Sequence, residues 1–213
     1  SDVHPVLLMP NFLRLQDVVA SETRFVNRIS DLQPEEGEQI RLHINEAIRA
    51  HQKDHFWFNQ QLWERATETN KEFYALPADY VAGLTVSIAD YPRSKLISKA
   101  NDTIEGWVPA AQNGRPQFYA LFANQYRLYP IPDAVYQLRL WGIRSFDDLV
   151  GDTDENPWTN EAFELIREAA KERVFYSVLH DVEKAGIAGQ AAATRRAGLI
   201  RETILRQPRQ EIE

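Results

Sequence analysis

Apolar positions recur at helical spacing near the start of the chain. Phe12, Leu15, Val18, Val19, Phe25, Val26 and Ile29 alternate in threes and fours with Arg14, Gln16, Asp17 and Glu22, which predicts one short amphipathic helix within the first 33 residues. Pro34, Glu35 and Glu36 then read as a helix start, since a proline costs nothing at the first helical position and carboxylates suit the positive end of the dipole. This second helix should run to about His51 and bury Ile40, Ile44, Ala47 and Ile48.

The period then changes. Phe56, Trp57, Phe58, Leu62 and Trp63 supply strand-favouring aromatics, and Phe73 to Leu76 resumes the pattern before Pro77. Leu84, Val86 and Ile88 alternate with Thr85, Ser87 and Ala89, the period-two mark of a half-buried strand. Asp102 to Trp107 fits one helical turn, and Asn113 to Pro116 a tight turn. Runs at 118–122, 126–129 and 135–141 follow with short breaks between them, and they predict an antiparallel meander.

Beyond Ile143 an acidic stretch (Asp147, Asp148, Asp152, Asp154, Glu155) leads into a long helix from Thr159 or Asn160 to about Gly186, with Phe163, Ile166, Ala170, Val174, Val178 and Val182 on one face. Gly186 and Gly189 read as a turn between helices, and a last helix over about 190–206 ends at Pro208. The expected fold class is α+β, a helical bundle of N-terminal helices plus two C-terminal helices, interrupted by an antiparallel β insertion. The expected divisions are 1–55 (N-terminal helices), 56–145 (β insertion), 146–189 (acidic loop and long helix) and 190–213 (C-terminal helix or tail).

Composition bounds the function. Twenty-four Lys and Arg against 31 Asp and Glu give a net charge of −7, which disfavours nonspecific grip on duplex DNA by a single copy. The absence of Cys excludes disulfides, thiol catalysis and Cys-based zinc sites. No apolar run approaches the ~18 residues of a membrane span, and 1–10 lacks the layout of a secretory signal, so a soluble protein that keeps away from membranes is expected.

Candidate chemistry is thin. His51 and His55 stand four residues apart, the step that puts two imidazoles on one helical face, but Gln52 occupies the place where a zinc hydrolase needs Glu, and no third ligand follows. Ordinary polar residues at a helix end are the preferred reading. The acidic stretch lacks the ordered Gly and terminal Glu of a calcium loop and reads as a solvated loop. Phosphate-binding loops and a nucleophile elbow are absent, so no catalytic residue, metal or cofactor is assigned. The aromatic cluster Phe56, Trp57, Phe58 and Trp63 reads as packing rather than a nucleic-acid platform, because the β block carries no excess of positive charge. The arginines from Arg195 to Arg209 form either a solvated face or an anchor for an acidic partner.

The ordered set 72–80 (EFYALPADY), 114–119 (GRPQFY), 126–133 (YRLYPIPD), 136–140 (YQLRL) and Thr159-Asn160 opening a long helix resembles the head-to-tail adaptor proteins of tailed bacteriophages over about 40–186. The resemblance implies a non-enzymatic virion protein, made in the host bacterial cytoplasm. In that family it forms a twelve-fold ring beneath the portal, joins head to tail, meets tail nozzle or tail-fibre proteins, and lets DNA pass without specific binding. It also implies a C-terminal segment that reaches the portal protein. Here that role falls to 190–213, with Leu199, Ile200, Ile204 and Leu205 as apolar contacts and Arg195, Arg196, Arg201 and Arg206 as polar ones. A tail-completion or stopper ring is the nearest alternative; a small hydrolase on the acidic loop or the His pair, and a general protein-interaction module, are those of other classes.

Overall fold

The computed structural model describes residues 10–23, 32–107 and 112–206. The chain divides into a helical unit, Ser1–Asn59 with Phe146–Glu213, and a β unit, Gln60–Ser145. The fold is mixed α+β, as the periodicities require.

In the helical unit, α1 (Phe12–Thr23) and α2 (Pro34–His51) bury Phe12, Leu15, Val19 and Ile40, Ile44, Ala47, Ile48 respectively. Helix α2 begins as expected: Pro34 occupies its first turn, and the Gln33 N–H donates to Glu36 Oε2 at 2.9 Å, half of a capping box. Phe25, Val26 and Ile29, assigned to the first helix by spacing, lie outside the described residues.

The aromatic run 56–58 does not extend. Trp57–Asn59 forms a 3-10 turn, because the Asn59 side chain accepts from Phe56 N (3.1 Å) and donates to Asp54 O (2.6 Å), folding the backbone back on itself. Phe56 is fully buried beside Phe58 and Trp158.

The long helix predicted for 159–186 is broken twice. A short α4 (Pro157–Asn160) is capped by Asn156, whose Oδ1 accepts from Trp158 N (2.9 Å) and Thr159 N (3.2 Å). Helix α5 (Phe163–Arg173) follows and loosens into a π turn, Val174–Val178. The chain then reverses at His180, which takes the left-handed conformation with φ 52°. Helix α6 (Val182–Arg206) is 25 residues long and starts with Asp181 Oδ1 accepting from Lys184 N at 3.0 Å. Gly186 and Gly189 therefore lie inside a helix rather than between two. The predicted start near 190 falls inside α6, whose Ala192, Leu199 and Ile200 belong to the same core as α1, α2 and α5.

Among the described residues the β unit holds two four-stranded sheets. One is ordered β1 (Gln60–Ala66), β8 (Gln137–Arg144), β3 (Tyr80–Ile88), β4 (Ser94–Lys95); the other β2 (Phe73–Ala75), β7 (Gln125–Tyr129), β6 (Phe118–Phe122), β5 (Ile97–Ser98). All pairs are antiparallel except β5 with β6. Only β6 and β7 make the expected hairpin. Strand β8 leaves that sheet to lie between β1 and β3, so the three runs are not a meander. Leu84, Val86, Ile88, Leu138 and Leu140 face Tyr74, Tyr119, Tyr126 and Leu128 in a shared core. Short α3 (Asn101–Glu105) buries Ile104, and Arg127 on β7 is fixed by ion pairs to Glu72 and Glu105.

Candidate assembly surface

Helix α6 carries every residue expected to reach a partner, and the structure sorts them into three kinds. Leu199 and Ile200 are half-buried against the helical core, so they hold α6 down. Arg195, Arg196 and Arg206 have acidic neighbours of their own. Arg196 grips Asp54 with two hydrogen bonds, Nε to Oδ2 at 2.7 Å and Nη2 to Oδ1 at 2.5 Å. Arg206 donates to Glu202 Oε1 from Nε and Nη2 (3.1 and 2.6 Å) and lays its guanidinium 4.0 Å from the Trp57 ring centroid. Arg195 lies 3.7 Å from Glu164. What remains is Arg201, exposed and without an ion pair or hydrogen bond among the described residues, together with Ile204 and Leu205 at 63% and 74% exposure. One cation and two large apolar side chains on the last two turns are thus presented to solvent.

Asp54 is the pivot of this arrangement. It sits just past the end of α2, its side chain only 14% exposed, and it also accepts from His51 Nδ1 at 2.9 Å if that nitrogen is protonated. Burial alone would raise its carboxyl, but the hydrogen bonds from Arg196 and His51 outweigh that effect and hold it below the ordinary carboxylate value. His55, by contrast, is exposed and lies beyond the end of α2, so the two imidazoles do not share a helical face. Among the described residues no three His, Asp or Glu side chains gather as a metal site.

The acidic stretch is solvent-exposed, as expected, and is also stitched to the bundle. Arg49 donates to both oxygens of Asp148 (2.9 and 2.5 Å), Arg41 pairs with Asp152, and Asp154 Oδ2 accepts the N–H groups of Val150 and Gly151 (2.9 and 2.8 Å). Asn45 completes the seam from α2, bonding both backbone groups of Leu149 (2.9 and 3.0 Å). The seam gives three of the five exposed carboxylates, Asp148, Asp152 and Asp154, a structural partner.

The four-residue aromatic cluster of the sequence divides between the units. Phe56 and Phe58 pack on Trp158 in the helical core, and Trp63 donates Nε1–H to Asp79 at 3.0 Å in the β unit. Charge divides unequally as well. The β unit has nine Lys and Arg against eight Asp and Glu, so the helical unit, with fifteen against twenty-three, holds the whole negative surplus. Spacing pointed to α6, but only its i, i+4 pair Glu202 and Arg206 gave away an internal partner. Asp54, 142 residues before Arg196, carried no such signal. Among the described residues, no helix is long and apolar enough to cross a membrane.

Residues 10–211 match the family model described as SU10 adaptor protein. No curated protein matches the chain.

Proposed function

Since the chain belongs to the SU10 adaptor protein family, a family of phage head-to-tail adaptors, we propose that its copies close a twelve-fold ring under the portal, join head to tail and continue the DNA channel. The observation that carries this reading is the division of charge. A helical unit with a surplus of eight carboxylates per copy suits the wall of a conduit, since phosphates that find no cations release no counterions and the duplex slides without being held. The protein acts as a virion component that makes and breaks no bond, through surfaces that fit its neighbours.

The portal contact falls to the C-terminal half of α6, where Arg195, Arg196, Leu199, Ile200 and Arg206 already have partners inside the chain and Arg201, Ile204 and Leu205 stand exposed. Arg201, Ile204 and Leu205 lead it, because they can be covered without undoing any contact inside the chain. Truncation after Gln190 is the wrong test, since it strips Ala192, Leu199 and Ile200 from the core. The better variant is Arg201→Glu with Ile204→Ser and Leu205→Ser. Negative-stain images of the wild-type protein mixed with its portal should show an added, rotationally symmetric layer, and the triple variant should leave portal bare. A bare portal with wild-type protein would refute the adaptor reading; an undiminished layer with the variant would refute the contact.

A further inference from the structure

One loop of the β unit is built to hold an aromatic side chain in open solvent. Tyr91, between β3 and β4, is 96% exposed. The loop is not loose, because Arg115 braces it from within: Nη2 donates to the carbonyls of Asp90 (3.0 Å) and Pro92 (2.5 Å), and Nη1 reaches that of Tyr91 (3.5 Å). The same guanidinium lies 5.4 Å from the Tyr136 ring centroid, and Asp90 Oδ2 accepts from Gln137 N at 2.6 Å, tying the loop to β8. Beyond Tyr91 stand Arg93 and Lys95, both exposed and without an ion pair or hydrogen bond among the described residues. A braced tyrosine flanked by two free cations has the make-up of a protein-binding anchor. Tyrosine contributes large contact area with few rotors to freeze, and a fixed backbone removes the cost of ordering it.

The helical unit offers the opposite shape and charge. A groove of about 350 Å³ between α4–α5 and α6 is lined by Phe163, Leu199, Gly198 and Glu161, together with two carboxylates that already have cations: Glu164, 3.7 Å from Arg195, which also lines the groove, and Glu202, which accepts from Arg206. Glu161 is exposed and its carboxylate has no partner among the described residues. Gly198, like Gly186, lies inside α6 with no neighbour close to where a Cβ would stand. In a helix interior glycine costs about 1 kcal/mol against alanine, and a Cβ at this position would meet nothing within 4 Å.

We propose that the Tyr91 loop of one copy seats in the α5–α6 groove of a second copy, with Arg93 and Lys95 against the Glu161 rim. The occupant is a second copy on grounds of charge and size: the knob is cationic, the groove offers the unpaired carboxylate of Glu161 beside the Glu164–Arg195 and Glu202–Arg206 pairs and is large enough for one aromatic ring, and both are carried by the same chain. Two different surfaces that fit each other make a heterologous contact, the kind that closes rings. A single-stranded nucleic acid fits the loop less well, since such sites stack successive bases on several aromatics along a basic groove, and here one ring stands with two cations. The inference rests on the ring reading above.

The chain has no cysteine, so the contact can be trapped cleanly. Tyr91→Cys and Gly198→Cys, placed in one chain and treated with a short bismaleimide on portal, should give a covalent ladder running past the dimer on a denaturing gel. Each single variant should give no ladder, and adding Arg93→Glu to the double variant should abolish it unless Glu161→Arg is also present. Neither cysteine strains the fold, since one site is solvent-exposed and the other has empty space around it. Portal bound without a ladder would overturn the groove contact and leave the adaptor reading standing; failure to bind portal and to form a ladder would remove both. A ladder from one cysteine alone, or one dissolved by single-stranded DNA, would also overturn the proposal.

Discussion

The clasp between Asp54 and Arg196 can be weighed by a double-mutant cycle. Asp54→Asn removes the negative charge while keeping the shape, and Arg196→Gln removes the fork. Exposed ion pairs are worth about 0.2–1 kcal/mol, whereas hydrogen bonds to charged groups reach about 1.5–3. This pair falls between, with two short bonds, an acid that is 14% exposed and an arginine that is 45% exposed. A coupling energy of about 1–2 kcal/mol follows, and a single variant that loses this much should melt about 2–8 °C below wild type at this chain length. The four proteins would be compared by urea unfolding, with hydrogen exchange along α6 as the local readout. Asp54→Asn should speed exchange in the C-terminal half of α6 and leave the β unit unchanged. A coupling below about 0.3 kcal/mol, within the range of independent sites, would refute the clasp.

Three further outcomes are expected. Asp54 and Asp148 both have carboxyls held below their ordinary value in the folded state, Asp148 chiefly by its hydrogen bonds from Arg49. The stability they add is present above the unfolded value of about 3.9 and is lost as pH falls through their lower folded values, so the urea midpoint should drop below about pH 4, and less so in Asp54→Asn. Asp17, raised by burial against the pull of Arg41, opposes that trend. Arg127→Ala should cost about 3 kcal/mol in the β unit, measured by near-UV circular dichroism on heating, because its side chain is 3% exposed and Glu72 and Glu105 lose their shared cation. Gly198→Ala should stabilise the helical unit by about 1 kcal/mol in the same assay, since a Cβ there meets no atom.

Local physics was legible in the sequence and distant pairing was not. The alternation at Leu84, Val86 and Ile88 and the Pro34-Glu35-Glu36 helix start appear as predicted, because each depends on residues within a few positions. The break before α6 was missed. Two glycines looked like the turn, yet the chain reverses at His180, a residue with no intrinsic preference strong enough to announce it. Strand β8 was assigned to its sequence neighbours, but its partners are β1 and β3, a choice made by which sheet face its leucines cover. The partners of the α6 arginines are hidden in the sequence for a similar reason. Four positive charges in a helix look like an outward anchor until the acids that hold three of them are located, and only the Glu202 and Arg206 pair is visible from spacing.

The β unit departs from and returns to the helical chain through two strands that lie side by side, with Gln60 directly opposite Ile143. Its entrance and exit therefore coincide, as at the mouth of a cassette. A module with such a mouth can be lengthened, exchanged or cut out without asking the flanking residues to span any new distance, and a short glycine-serine bridge from Asn59 to Phe146 would suffice to reclose the chain. Evolution can rebuild what this protein shows to its surroundings while the helices keep their own partners.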